Sequence, residues 1–184
     1  MRVLLIQPLT IREIIKEVNS MHNFILDKEK YAAAFTYLAN KLGKINGKKK
    51  ACKLLYFLDF DFFEAYEKPF TGETYTALPM GPVPRYFDGI VEGLVKNGYI
   101  ETKKMITSPT HDNLTVVYIP KKQMDYKFSQ EEKKMLDRVA KKYGPLTGKD
   151  LEVLSHAQAP YAAVDLGEVI PYEYSFYRDS QDLK

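Results

Sequence analysis

Two residues of this 184-residue sequence have the types needed for proton chemistry. Asp59 lies in the run "KLLYFLDFDFF", where the residues three and four positions away are apolar or aromatic. A carboxyl group buried in such surroundings has a raised pKa, which suits a general acid or base. His156, in "LSHAQAPY", is the second candidate because histidine titrates near neutral pH. One hypothesis is therefore an enzyme that uses Asp59 and His156 in a solvent-open cleft.

A structural role for Asp59 is the alternative, and the sequence favours it. A buried carboxylate is costly unless it is paired or accepts several hydrogen bonds. Candidate partners are the backbone N–H groups around Gly81 and Val83, the Tyr75 hydroxyl, Arg85 and His156. Because local spacing fixes no second titratable group beside Asp59, we expect this residue to hold the "GPVP" turn.

Other constellations of reactive residues are not found in the sequence. Cys52 is the single cysteine, so no intrachain disulfide and no multi-cysteine metal site can form. His22 and His111 have no metal-ligand spacing with His156, and Ser155 would point about 100° away from its neighbour His156 on a helix. There is no phosphate-binding glycine loop, nucleophile elbow or HExxH motif. We therefore predict no metal and no cofactor, and the missing motifs argue against the common enzyme classes.

Composition and charge narrow the class of protein. The chain is 45% hydrophobic and 28% charged, which is typical of a globular protein, and no apolar run approaches the roughly 20 residues of a membrane span. Its start lacks the features of a signal peptide, so we expect a cytoplasmic protein without a membrane partner. The net charge of +3 and the scattered lysine pairs give only weak support for nucleic acid binding.

The helix that carries Asp59 is predicted to run from Lys48 to Tyr66 and to lie at the centre of the fold. Its apolar and aromatic residues occupy nearly the whole circumference. Asp61, whose helical neighbours include Glu64, is expected at the edge of the core. A helix that begins after an Asp27 cap and ends at Gly43 is predicted just before it.

Turn residues and β-favouring residues follow the central helix. Pro69 and Gly72 predict a turn. The β-favouring residues of 73–78 predict a strand after it. "MGPVP" predicts a bend in which Pro82 or Pro84 occupies the first turn of the next helix. That helix, in "RYFDGIVEGLVKNG", is followed by a predicted hairpin of "YIETKKMI" and "LTVVYIPK" around a polar loop.

A helix followed by a hairpin is the order of a winged helix, which gives a second functional hypothesis, a DNA-binding transcriptional regulator. A DNA reader needs cations concentrated on the helix and the wing. The helix before the hairpin offers Arg85 and Lys96 against Asp88 and Glu92. DNA binding by this helix is therefore not expected.

The predicted fold class is α+β and mainly helical, with a central apolar helix, surrounding helices and a small antiparallel sheet. Two later helices begin with capping boxes, at Ser129 and Thr147. "IREIIKEVNS" predicts a short amphipathic helix in an N-terminal extension, residues 1–26. Residues 27–184 are expected to form one globular domain.

Three stretches together resemble the Panacea domain, the SocA-like antitoxin family: "KLLYFLDF", "PFTGETYTALPMGPVP" and "LSHAQAPY". The resemblance covers roughly residues 31–170 and lies in the order and spacing of all three. Tyr161 follows Pro160 where such families usually have a tryptophan, so an aromatic ring is kept. The family pattern maps onto Lys53, Leu54, Leu55, Tyr56, Asp59, Tyr75, Gly81, Pro82, Ser155 and His156.

The resemblance implies a non-enzymatic role. Such a protein is an antitoxin that binds and neutralises a cognate toxin protein, and in the SocA-like branch it also presents the toxin to a cytoplasmic protease as an adaptor. Members of this kind are also found associated with prophages. The mapped residues would form the scaffold rather than the toxin contact.

The toxin contact would come from exposed aromatic residues, which are favoured interface anchors. The candidates lie in the tail "IPYEYSFYRD" and are Tyr172, Tyr174, Phe176 and Tyr177. The alternative for this tail is an edge strand that covers the core.

Overall fold

A computed structural model describes residues 24–108 and 111–178 of the chain. The amphipathic helix predicted from "IREIIKEVNS" and the rest of the N-terminal extension before Phe24 lie outside the described residues. The fold is α+β and mainly helical, as predicted.

The central helix has the predicted bounds. Helix α1 (Lys28–Leu42) begins at an Asp27 cap, whose carboxylate accepts from Lys30 N at 2.9 Å. After the short strand β1 (Ile45–Asn46), helix α2 spans Lys48–Tyr66. Every residue of α2 from position 51 to 63 is buried, Asp61 included, so this helix is surrounded by other elements.

A two-stranded hairpin follows α2 and corrects the prediction for the prolines. Strand β2 (Tyr75–Leu78) pairs antiparallel with β3 (Gly81–Pro84), so Pro82 and Pro84 lie in a strand and not in the first turn of a helix. Ala77 faces Pro82 in this pairing, yet the N–H and C=O of Ala77 bond Glu168 O and Gly167 N, on the opposite side from β3. The prolines, which have no N–H, thus occupy the outer edge of β3.

The next elements complete a winged-helix order. Helix α3 (Phe87–Lys96) precedes a long hairpin of β4 (Ile100–Ser108) and β5 (His111–Pro120). Strand β1 adds to β5, which gives the sheet order β1-β5-β4. The β2–β3 hairpin is inserted between the second and third helices of this unit.

Three helices and a 3₁₀ helix form the C-terminal third. Helix α4 (Gln130–Tyr143) begins with the Ser129 and Glu132 capping box, and α5 (Gly148–His156) begins with that of Thr147 and Asp150, both as predicted. Helix α6 (Ala159–Ala162) and a 3₁₀ helix (Tyr172–Tyr177) follow. The tail is therefore helical rather than an edge strand, although it does pack against α2.

Candidate functional site

Asp59 is the centre of a buried polar cluster. Its carboxylate accepts from Thr71 N and Thr71 Oγ1, both at 2.6 Å, and from the Tyr75 hydroxyl at 2.7 Å. Its solvent exposure is zero. Burial raises the pKa of Asp59, while the hydrogen bonds from Thr71 and Tyr75 act in the opposite direction.

These contacts show that Asp59 holds the segment that follows α2, and the prediction that it holds the GPVP turn is wrong. Of the predicted partners, the Tyr75 hydroxyl is used, whereas the main partner is Thr71, in the turn before β2. None of the hydrogen bonds described for Asp59 comes from the GPVP turn. The carboxylate therefore anchors the entrance to β2.

Lys53 instead holds the GPVP segment, which forms β3. This lysine is 1% exposed, and its ammonium donates to the Pro82 carbonyl at 2.8 Å. Burial lowers the pKa of Lys53 from 10.5 to about 8, since the charged form is poorly solvated there. Sequence reasoning placed Lys53 in the family pattern but assigned it no partner.

Gly81 is required by both backbone geometry and space. Its φ is +92°, a value that side chains disfavour, and an added Cβ would lie 2.7 Å from Lys53 Cε and 2.9 Å from Ser155 Oγ. Ser155 Oγ itself donates to Glu152 O at 2.9 Å within α5. Lys53, Gly81, Pro82 and Ser155 therefore come together in space from three separate stretches.

The remaining family-pattern residues pack around this cluster. Leu54 and Leu55 are fully buried in the core. Tyr56 packs edge-on against Tyr75, with ring centroids 5.7 Å apart, and its hydroxyl donates to Gln158 Oε1 at 3.4 Å. The cluster is thus continuous from α2 through β2 to the end of α5.

His156 stacks on the aromatic ring of Tyr161. The rings of His156 and Tyr161 are 4.4 Å apart and nearly parallel, and burial lowers the pKa of His156. The Tyr161 hydroxyl donates to Leu78 O at 2.8 Å, which ties α6 to the tip of the β2–β3 hairpin. This arrangement supports a structural role for His156.

A buried ion pair was missed by the sequence analysis. Asp61 was expected at the edge of the core, but it is 1% exposed and accepts from Arg178 Nη1 at 2.7 Å and from the Tyr143 hydroxyl at 2.9 Å. Arg178 Nε also lies 3.2 Å from Glu64 Oε2. Both partners lie more than 80 residues away along the chain, so helical neighbours could not reveal them.

The four aromatic residues of the tail have different environments. Tyr172 is buried, and its hydroxyl donates to Glu73 O at 2.6 Å. Tyr174 is half-buried, and burial together with the nearby Glu168 carboxylate raises its pKa. Phe176 and Tyr177 are exposed. The tail therefore has buried rings on one side and exposed rings on the other.

The described geometry does not meet the condition of the enzyme hypothesis. That hypothesis requires Asp59 to reach an open cleft, yet the carboxylate is fully buried and bonded to Thr71 and Tyr75. Among residues 24–108 and 111–178, no group of three or more His, Cys, Asp or Glu side chains is placed to hold a metal ion. No helix in those ranges is long and apolar enough to cross a membrane.

The comparison with protein families gives one result. The family model described as "Antitoxin SocA-like, Panacea domain" matches residues 52–162. The matched segment contains the whole polar cluster around Asp59 and Lys53 and ends before the 3₁₀ helix of the tail. No curated protein and no solved structure matches the chain.

Proposed function

Because the chain belongs to the SocA-like antitoxin family of Panacea domains, we propose that it is the antitoxin of a toxin–antitoxin pair and neutralises a cognate toxin protein by binding it. The family match over more than half of the chain is the observation that carries this proposal. The geometry is compatible with it because the family-pattern residues described above contact one another in a buried scaffold.

The buried cluster has the role of a scaffold in this proposal. Asp59 fixes the turn before β2, Lys53 fixes strand β3, and Tyr161 fixes the hairpin tip. These three anchors hold the β2–β3 hairpin on α2 and α6. A hairpin held in this way presents a preorganised surface, which lowers the cost of binding a partner.

The protein is then a non-enzymatic binding protein of the cytoplasm, and no cofactor is needed for its action. We further propose that it can act as an adaptor that brings the toxin to a cytoplasmic protease. The four tail residues Tyr172, Tyr174, Phe176 and Tyr177 remain candidates for toxin contact, with Phe176 and Tyr177 as the exposed rings.

A growth assay tests this function. The open reading frame next to the gene is induced with and without the full-length chain, and the chain is then purified by affinity from the rescued cells. We expect growth arrest by the neighbour alone, recovery of growth with the chain, and copurification of the two proteins. A harmless neighbour would contradict the antitoxin proposal.

The adaptor role has its own readout. The half-life of the toxin is measured in rescued cells with and without their ATP-dependent cytoplasmic proteases. An adaptor shortens the half-life only when the protease is present. Rescue with an unchanged half-life would show direct neutralisation and remove the adaptor role.

A further inference from the structure

Four exposed apolar residues lie close together around the tip of the β2–β3 hairpin. They are Leu78, Met80, Leu166 and Val169. Two backbone bonds join the two chain segments, from Ala77 N to Glu168 O at 2.9 Å and from Gly167 N to Ala77 O at 2.7 Å. The segment 167–170 thus lies beside β2 as a short third strand.

The pleat of this small sheet places two of these side chains, Leu78 and Val169, on its outer side. Tyr75 and Ala77 are buried, so Thr76 and Leu78 point away from the core. Val169 is paired directly with Thr76 and therefore shares its face. We call this surface the outer hairpin face, defined by Leu78, Met80, Leu166 and Val169 with the carboxylates of Asp165 and Glu168 at its rim.

The outer hairpin face is acidic in a protein with an excess of basic residues. The chain has 27 Lys and Arg against 24 Asp and Glu, yet neither 69–84 nor 157–177 contains a lysine, an arginine or a histidine. The exposed charged residues of these two stretches are Asp165 and Glu168. A partner whose charge is complementary to these carboxylates carries positive charge.

The edge of the sheet is closed, which leaves its face for binding. Pro82 and Pro84 remove the N–H donors from the outer edge of β3, and the Lys53 ammonium already occupies the Pro82 carbonyl. On the other edge of the hairpin, β2 is paired with 167–170. A partner strand therefore has no free edge of β2 or β3 to extend.

We propose that the outer hairpin face is the docking surface for the toxin, and that the docking segment of the toxin carries lysine or arginine alternating with apolar side chains. The apolar residues would cover Leu78, Met80, Leu166 and Val169, and the cations would meet Glu168. The face continues toward the exposed tail through Tyr174, which lies near Glu168. This inference rests on the proposed antitoxin function.

Matched substitutions test the apolar part of this surface. Leu166 and Leu114 have similar exposed fractions, 63% and 64%. Leu114 lies in β5, which belongs to the β4–β5 hairpin and not to the β2–β3 hairpin. We expect Leu166→Asp to weaken toxin binding by about tenfold or more, as at an interface hot spot, and Leu114→Asp to leave it within about twofold. Equal affinity of wild type and Leu166→Asp would overturn the inference.

The charge requirement is tested by Glu168→Gln, which removes the carboxylate and keeps an oxygen that can accept from Asp165 N. Glu92→Gln, on the exposed side of α3, is its control. We expect Glu168→Gln to reduce the salt dependence of toxin binding and Glu92→Gln to leave it unchanged. The same salt dependence in all three proteins would contradict a basic docking segment.

A peptide probe separates the surface from the antitoxin function. An alternating leucine–lysine heptapeptide and a leucine–glutamate heptapeptide are titrated against the full-length chain by fluorescence anisotropy. Preferential binding of the lysine peptide, lost in Leu166→Asp and kept in Leu114→Asp, supports the surface even if the neighbouring gene product proves harmless. Binding of both peptides alike overturns the inference. A dimer of the wild type in light scattering that Leu166→Asp converts to a monomer also overturns it, because the face would then bind a second copy of the chain.

Discussion

Asp59 is a structural carboxylate whose loss should destabilise the fold. In Asp59→Ala the Thr71 N–H, the Thr71 hydroxyl and the Tyr75 hydroxyl lose a shared buried acceptor. We expect the free energy of unfolding to fall by about 3 to 5 kcal/mol. Urea denaturation measures this change.

Tyr75→Phe serves as the graded control for Asp59→Ala. It removes one donor to the carboxylate and leaves both Thr71 contacts, so we expect a loss of about 1 to 2 kcal/mol. A wild-type stability for Asp59→Ala would show that the carboxylate is not a structural anchor.

Lys53 should give the stability an alkaline pH dependence. Its pKa is about 8 when folded and 10.5 ordinarily, so between these values the unfolded chain binds more protons and stability rises with pH. Since one pKa unit corresponds to about 1.4 kcal/mol, wild type should gain about 3 kcal/mol relative to Lys53→Met from pH 8 to pH 10.5. Urea denaturation at pH 8, 9 and 10 measures this gain.

The exposed Lys104 in β4 provides the comparison for Lys53. The stability of Lys104→Met relative to wild type should not change with pH in the same way. If the Lys53→Met curve runs parallel to that of wild type from pH 8 to pH 10, the buried ammonium carries no depressed pKa.

Residue-scale prediction from sequence succeeded for the burial of Asp59 and for its bond to Tyr75. It failed for Thr71, because the turn that brings this residue back to α2 has no periodic pattern that would reveal its contact. It also failed for Asp61, whose partner Arg178 lies 117 positions away. Helical neighbours report the surroundings on one helix and not the groups that other elements bring to it.

At the scale of elements, Arg178 fastens the 3₁₀ helix of the tail to α2. Its guanidinium contacts Asp61 and Glu64 in the buried interior. Arg178→Met should lower the free energy of unfolding by about 3 to 5 kcal/mol, since it leaves buried carboxylates without this cation. Limited chymotrypsin digestion should then cut near Tyr177 faster than in wild type.

Arg178→Lys and Arg85→Met are the two comparison variants for the loss of stability in Arg178→Met. A lysine cannot present two parallel contacts to Asp61 and Glu64, so Arg178→Lys should restore only part of the stability. Arg85 is exposed, and Arg85→Met should behave as wild type. A tail that resists chymotrypsin in Arg178→Met would mean that the aromatic contacts of Tyr172 alone hold it.

Element bounds were predictable where local chemistry sets them. The bounds of α2 agree with its apolar run, and the starts of α4 and α5 agree with their capping boxes. The hairpin strand β3 was not predicted, because two prolines in four residues are rare in strands. They are tolerated here since their nitrogens lie on an outer edge.

At the scale of the whole molecule, the winged-helix order does not bring with it a DNA-reading surface. The exposed side of α3 carries Asp88 and Glu92, and Lys48 is paired with Asp88 at 2.7 Å. We expect duplex DNA from the upstream region of the gene to bind with a dissociation constant of about 1 µM or weaker at physiological salt.

Fluorescence anisotropy with the upstream duplex and a scrambled duplex measures this binding. The residual affinity should be the same for both sequences and should fall when Lys103 and Lys104 of β4 are replaced by alanine. A nanomolar complex with the upstream duplex alone would instead support the transcriptional regulator.

The two prolines of β3 also bear on how this chain behaves in a crowded cell before it meets a partner. An exposed strand edge can recruit strands from other copies and lead to aggregation. At β3 the unpaired edge is buried, Pro82 and Pro84 carry no N–H donor there, and Lys53 caps the carbonyl between them. Replacing both prolines by valine would place two N–H donors on this buried edge, so we expect a less stable fold and faster aggregation in solution.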